Sequence, residues 1–279
     1  MRRFARAVPR VLDRDDPKAV HRARVAARRL EEYLAAISPG SKPKKLKKMR
    51  RLLKHVRRDL GGWRNCDVVL AMIDKNRRAT DKEARQSAWN LVERHVKKER
   101  GREMKRARRS IDVAGVDALD EKLEAWLDAE APNAETVQAG LDLAAERWRS
   151  ALEAAEKSGS GRELHEFRVA TKKFRYRLEL AGELGGAAPP LLPTLKRLQR
   201  ALGKWHDREI ADRMIAESLA RPKFLLREFR AAQRLLKELE KDDRRQNAAV
   251  AEILRAARAA AAPAESSEGP SLLLAFSRP

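Results

Sequence analysis

Apolar residues recur at alternating three- and four-residue spacing along almost the whole chain, and the every-second-residue alternation of a half-buried strand is nearly absent. The pattern predicts helices at about 17–37, 43–60, 65–78, 81–109, 115–129, 134–157, 162–184, 190–203, 205–219 and 223–258. Local punctuation supports several of these ends. Asp16 before Pro17 offers an N-cap followed by a first-turn proline, and Pro39-Gly40 reads as a stop. Thr80 with Glu83, and Ser160 with Glu163, have capping-box spacing. Gly101 is a candidate interruption of the fourth helix, and Pro222 separates the last two. The expected fold is all-α. From Pro263 the sequence turns to PAESSEGPSLLLAFSRP, so 261–279 reads as a flexible tail.

The pattern also repeats. Residues 18–38 align without gaps with 162–182 at an offset of 144, pairing His21 with His165, Arg24 with Arg168, and Arg28-Arg29 with Lys172-Lys173. A second block, 53–68, aligns with 195–210 at an offset of 142, pairing Leu60-Gly61 with Leu202-Gly203 and Trp63 with Trp205. Two blocks in the same order imply two related helical halves, about 1–133 and 134–260, within a single 1–260 domain. The Ser158-Gly159-Ser160-Gly161 stretch marks the seam.

Each repeated helix pairs an apolar stripe with a basic row. Val20, Ala23, Ala27, Leu30, Leu34 and Ile37 form the stripe of the first copy, while His21, Arg24 and Arg28 stack at i, i+3 and i+7 with Arg29 alongside. The second copy sets Leu164, Phe167, Thr171, Phe174 and Leu178 inward, and His165, Arg168, Lys172 and Arg175 on its basic side, with Lys173 beside them. The following helix carries Leu46, Met49, Leu53, Val56 and Leu60 against Lys47, Arg51, Lys54 and Arg58. Its counterpart places Lys196, Arg197 and Arg200 around Leu195, Leu198 and Leu202. Cations stacked on one face repel one another by a few tenths of a kcal/mol per pair. A long anion would offset that repulsion in both halves; the plainer alternative is a set of solvated faces.

Composition agrees. The 279 residues hold 63 Lys+Arg against 41 Asp+Glu, a formal charge of +22. The excess is blocked: 1–58 and 75–109 are strongly basic, 112–156 is acidic, and 157–213 is basic again. Such blocks give a directional field that draws anions to particular faces. The acidic block reads as scaffold turned away from the ligand. A single cysteine, Cys66, excludes a disulfide framework. No run approaches the roughly 18 apolar residues of a membrane span. The basic N-terminus lacks the apolar stretch of a secretory signal, so a cytoplasmic protein is expected.

The H-x-x-R-V-x-x-R-R row at His21–Arg29, echoed at His165–Lys173, resembles the signature of CHAD domains, the conserved-histidine α-helical domains. The L-G-x-W-(R/H)-(N/D) segments at Leu60–Asn65 and Leu202–Asp207, read as turns, resemble the family's second block. The resemblance implies two four-helix bundles related by pseudo-twofold symmetry, with a basic groove or pore that binds inorganic polyphosphate. Carried over by position, it implies His21, Arg24, Arg28, Arg29, Lys54 and Arg58 as ligands in the first half, and Arg51 of the same basic row joins them as a candidate. In the second it implies His165, Arg168, Lys172, Lys173, Lys196 and Arg200, with Arg175 and Arg197 of the basic rows as further candidates. Glu31-Glu32 stand where the family often continues its basic row. No cofactor or metal is implied, and the expected role is binding, with placement on polyphosphate granules as one outcome.

Two other readings stay open. Nucleic acid also binds through phosphate contacts, but the basic rows carry few aromatic platforms for bases, Tyr176 being the nearest. A phosphohydrolase reading rests on His206-Asp207 alone. Gly203-Lys204 is no Walker A loop, and His165-Glu166 lacks the second histidine of a zincin helix.

Overall fold

Asp16 starts a helix as its chemistry requires: its Oδ1 accepts the Lys18 N–H at 2.8 Å, satisfying one of the free amides of the first turn. At the seam, the helix over Ala134–Ser158 ends on Gly159, which adopts φ 60° and gives its N–H to Ala155 O at 2.9 Å, a left-handed cap that glycine reaches without strain. Ser160 and Glu163 do interact, but side chain to side chain. Ser158 Oγ donates to the same carboxylate at 2.9 Å, while the Ser160 N–H goes to Ser158 Oγ at 3.1 Å.

The computed structural model describes residues 2–37, 44–78, 83–129, 134–185 and 189–261. These form nine α-helices: α1 (Arg2–Asp13), α2 (Pro17–Ala36), α3 (Lys44–Arg78), α4 (Glu83–Ser110), α5 (Val113–Ala129), α6 (Ala134–Ser158), α7 (Gly161–Gly185), α8 (Leu192–Leu219) and α9 (Pro222–Ala261). No strand occurs among the described residues, so the fold is all-α. The Pro39-Gly40 stop, Thr80 of the Thr80/Glu83 capping box and the tail from residue 262 lie outside them.

Three details depart from the sequence pattern. It predicts no helix before residue 17, yet α1 forms, because Phe4, Val8 and Val11 make a short stripe that is fully buried. It breaks the chain near Leu60 and Gly203, yet α3 and α8 each run through their Leu-Gly segment without interruption. Gly61-Gly62 is a place of close approach within a helix, not a turn. A Cβ on Gly61 would lie 3.2 Å from Arg24 Nη1, and one on Gly62 would overlap the Glu103 carboxylate of α4. Gly101 likewise sits inside an unbroken α4.

The chain divides into two compact units that interleave along the sequence. The first takes Met1–Glu31, Lys44–Ala129 and Trp205–Asn247; the second takes Glu32–Pro43, Glu130–Lys204 and Ala248–Pro279. In the first unit α3 packs along α4, and α5 contacts α1 and α3. Its core includes Val69, Ile73, Trp89, Val92 and Val96 of α3 and α4, with Ile215 and Leu219 of α8. Arg100 is its polar pin. Its Nε donates to Asp67 at 2.6 Å and its Nη1 to Asp15 at 2.8 Å, and the guanidinium lies 5.6 Å from the centre of the Trp63 ring. The hydrogen bond from Arg100 holds the Asp15 carboxyl below its usual range, whereas burial pushes Asp67 up despite the same partner.

In the second unit α6 packs along α7. Trp148 lies against Phe167 and Phe174, with ring centres 6.1 and 5.6 Å apart. Its indole N–H donates to Thr171 Oγ1 at 3.1 Å, and that hydroxyl donates to Phe167 O at 2.8 Å, so the polar atoms in this apolar layer are satisfied.

Candidate functional site

The apolar stripes fall inward as their spacing predicts. Val20, Ala23, Ala27, Leu30 and Leu34 are buried on α2, Leu46, Met49, Leu53, Val56 and Leu60 on α3, and Leu195, Leu198 and Leu202 on α8. Ile37, the last of the α2 stripe, is half-buried. Burial of these stripes orients the basic rows but does not expose every member equally.

In the first unit His21, Arg51, Lys54 and Arg58 are exposed, while Arg24, Arg28 and Arg29 are half-buried. The Arg24 Nη1 donates to the backbone carbonyl of Arg57, lying over Gly61 where any larger residue would crowd it. Arg58 Nε reaches the buried carboxylate of Asp59 at 3.2 Å, with most of its own side chain in solvent. Around His21 the structure gathers two residues outside the predicted set, Arg64 of α3 and Asp207 of α8. Although His21 is exposed as a residue, partial desolvation of its ring is the main cause holding the imidazolium below the usual histidine pKa. Arg64, Arg24 and Arg22 add to that effect, and Asp207 opposes it. A signal for both was present in the second block, where the residues after Trp63 and Trp205 keep a polar pair, Arg64-Asn65 and His206-Asp207.

In the second unit His165, Lys173, Lys196, Arg197 and Arg200 are exposed and Arg168 is half-buried. Two members of the predicted row turn inward instead. Lys172 is 5% exposed and Arg175 is 8% exposed. Arg175 donates from Nε to Gln199 at 2.5 Å and from Nη1 to Glu179 at 2.6 Å, with its guanidinium 4.2 Å from the centre of the Tyr176 ring. It joins α7 to α8 and is spent on the fold. Tyr176, the nearest aromatic for base stacking, is 2% exposed. Lys173 lines a cleft of about 220 Å³ between α6 and α7, together with Arg147, Glu166 and Arg177.

The repeat explains the acidic departure at Glu31. At the repeat offsets Glu31 corresponds to Arg175, and Arg57 to Gln199. Glu31 pairs with Arg57 Nε at 3.2 Å, so the position bridges two helices in both copies and belongs to the fold.

Among the described residues no three His, Cys, Asp or Glu gather as a metal site, and no helix is long and apolar enough to cross a membrane. Cys66 is buried and its thiol is pushed up to about 12, chiefly by burial, which leaves it unreactive as a nucleophile at neutral pH.

Comparison with known proteins follows the same lines. No curated protein matches the sequence. Among solved structures the chain is similar to the crystal structure of the CHAD domain from the plant Ricinus communis. That match has a TM-score of 0.67 and 21% identity over 90% of this chain and 86% of the plant chain, a likeness of fold. The CHAD-domain family model matches residues 1–216, which take in both copies of the histidine row and both Leu-Gly-x-Trp blocks. The chain therefore belongs to the CHAD-domain family.

Proposed function

We propose that this protein binds inorganic polyphosphate through the exposed and half-buried members of its two basic rows and does no chemistry on it. The observation that carries the reading is the state of Arg51 and Lys54 on α3 and of Arg197 and Arg200 on α8. All four are exposed, and none is ion-paired with an acid among the described residues. Guanidinium groups grip phosphate oxygens in pairs and lysines act as mobile point charges, so a mixed row suits a repeating anion with no bases to read. His21, Arg24, Arg28, Arg29, Arg58, His165, Arg168, Lys173 and Lys196 complete the ligand set. Lys172 and Arg175 are left out because they are buried.

Nucleic acid is the weaker reading because Phe167, Phe174 and Tyr176 are all buried, leaving the α7 row without a stacking platform. Hydrolysis has less support still: it rests on His206, whose Nδ1 lies 3.6 Å from Glu209 of the same helix. Placement of the protein on polyphosphate granules would follow from binding alone.

The test is a titration of labelled long-chain polyphosphate at near-physiological salt, with single-stranded DNA and RNA as competitors. Replacing Arg51, Lys54, Arg197 and Arg200 with Gln should weaken binding roughly 30-fold, taking about 0.5 kcal/mol for each exposed cation and 1.4 kcal/mol per decade. Helicity should not change. Unaltered affinity in the folded variant rejects this site, and equal competition by RNA per phosphate makes the protein a general polyanion binder.

A further inference from the structure

The outer face of α4 carries a cationic row that lies outside both repeated blocks. Arg94, Lys98, Arg102, Lys105 and Arg109 fall at i, i+4, i+8, i+11 and i+15. At 100° per residue they occupy an arc of about 80° and extend roughly 22 Å along the helix. The face opposite is the one that packs: Trp89, Val92, Val96 and Ala107 are buried there. All five cations are exposed.

Among the acids of this helix whose side chains are described, only Glu99 pairs with a member of the row. Glu93 pairs with Lys97 and Arg77, Glu99 with Arg102, and Glu103 with Arg106. Arg94, Lys98, Lys105 and Arg109 have no ion-pair partner among the described residues. Stacked like charges at these spacings weaken a helix. Gly101 weakens it further at the middle of the row, and a Cβ there would meet nothing within 4 Å, so no packing demand accounts for the glycine. An anion lying along the row would offset the repulsion, and the glycine leaves bare backbone for its close approach.

We infer that the outer face of α4 is a second polyphosphate-binding surface, separate from the α2–α3 row and used by chains long enough to follow it; this rests on the polyphosphate reading above. The arrangement favours polyphosphate over nucleic acid. The row, flanked by the exposed Lys97, Arg106 and Arg108, is unaccompanied by exposed aromatics of this helix, since its tryptophan, Trp89, is 3% exposed. A single flexible chain of phosphates needs only such a line of charge, whereas single-stranded nucleic acid gains affinity from stacked bases.

Lysine acylation read by mass spectrometry tests this on the unaltered protein, with long-chain polyphosphate and RNA as separate probes. Polyphosphate should slow modification of Lys98 and Lys105 severalfold, alongside Lys54. Replacing Arg94, Lys98, Lys105 and Arg109 with Gln should lower the slope of log affinity against log salt by about 3, taking about 0.7 per phosphate contact on a single strand. Protection of Lys54 without Lys98 and Lys105 overturns the α4 surface and leaves the proposed function standing. Absence of all protection and all binding overturns the proposed function itself. Protection of Lys98 and Lys105 by RNA alone overturns the choice of ligand.

Discussion

The two copies of the histidine helix show how one sequence pattern yields two different surfaces. On α2 the row from His21 to Arg29 stays exposed or half-buried, and the next polar position, Glu31, turns to Arg57 of α3. On α7 the same spacing buries Lys172 and Arg175, and Arg175 reaches Gln199 of α8. Both copies thus hold a polar bridge between the histidine helix and the one that follows, with its charges distributed differently. A position that looks like the end of a ligand row is a fold position in both. The lesson is that cation count overstates a binding surface wherever a row runs past the exposed arc of its helix.

Removing each bridge should break the comparison at its widest point. Arg175 and Glu179 are each 9% exposed at the side chain, so Arg175→Met leaves a buried carboxylate without its main partner. Losing one member of a buried pair costs about 3 kcal/mol or more, and the low end applies because Lys196 Nζ already stands 3.9 Å from Glu179. Urea unfolding should show that loss, and adding Glu179→Leu should recover most of it, since an apolar pair replaces a satisfied ion pair at little cost. Glu31→Gln should cost about 0.5 kcal/mol, because the amide keeps an oxygen beside the buried Arg57 Nε and Arg57 is 28% exposed over its side chain as a whole. Polyphosphate affinity per folded molecule should be unaltered in both. A large loss of binding in folded Arg175→Met would return Arg175 to the ligand set.

Proton linkage sharpens the same contrast at His21. Its folded pKa is below the ordinary 6.5, so between the folded value and 6.5 the unfolded chain holds a proton that the folded one lacks. Stability therefore rises with pH across that window and falls as pH drops through it. A polyanion beside His21 favours the charged ring, so its affinity should increase as pH falls through the same window, against the trend in stability. His21→Gln should flatten both slopes below pH 6.5 in parallel titration and unfolding series. A persistent rise in affinity in that variant would assign the proton elsewhere.

Much of the fold was legible because burial acts on spacing. The stripes of α2, α3 and α8 and the Asp16 cap follow from local chemistry and are found in place. What failed did so for tertiary reasons. Phe4, Val8 and Val11 are too few among cations to announce α1, and become a stripe once buried in the first unit. Gly61-Gly62 reads as a helix stop because glycine's local cost is visible in the sequence, while the Arg24 and Glu103 groups that need the space lie on other helices. The predicted ligands were legible as residue types; whether each faces solvent depended on the helix packed beside it, as Arg24 on α3 and Arg175 on α8 show, which the repeat alone does not orient.

The smallest effect tests the glycines that the repeat equates. Gly61 and Gly203 occupy the same place in the second block, yet a Cβ on Gly203 would meet nothing within 4 Å, whereas one on Gly61 would lie 3.2 Å from the Arg24 guanidinium. Alanine lowers the entropy of the unfolded chain and favours helix, so Gly203→Ala should raise stability by about 0.5–1 kcal/mol. Gly61→Ala has the same intrinsic gain but must move a guanidinium held by the Arg57 carbonyl. Its net change should be near zero or negative, and its polyphosphate affinity should fall with the displaced Arg24. Equal stabilisation by both substitutions would mean that Arg24 shifts freely, and Gly61 would then have no bearing on the first unit's basic row.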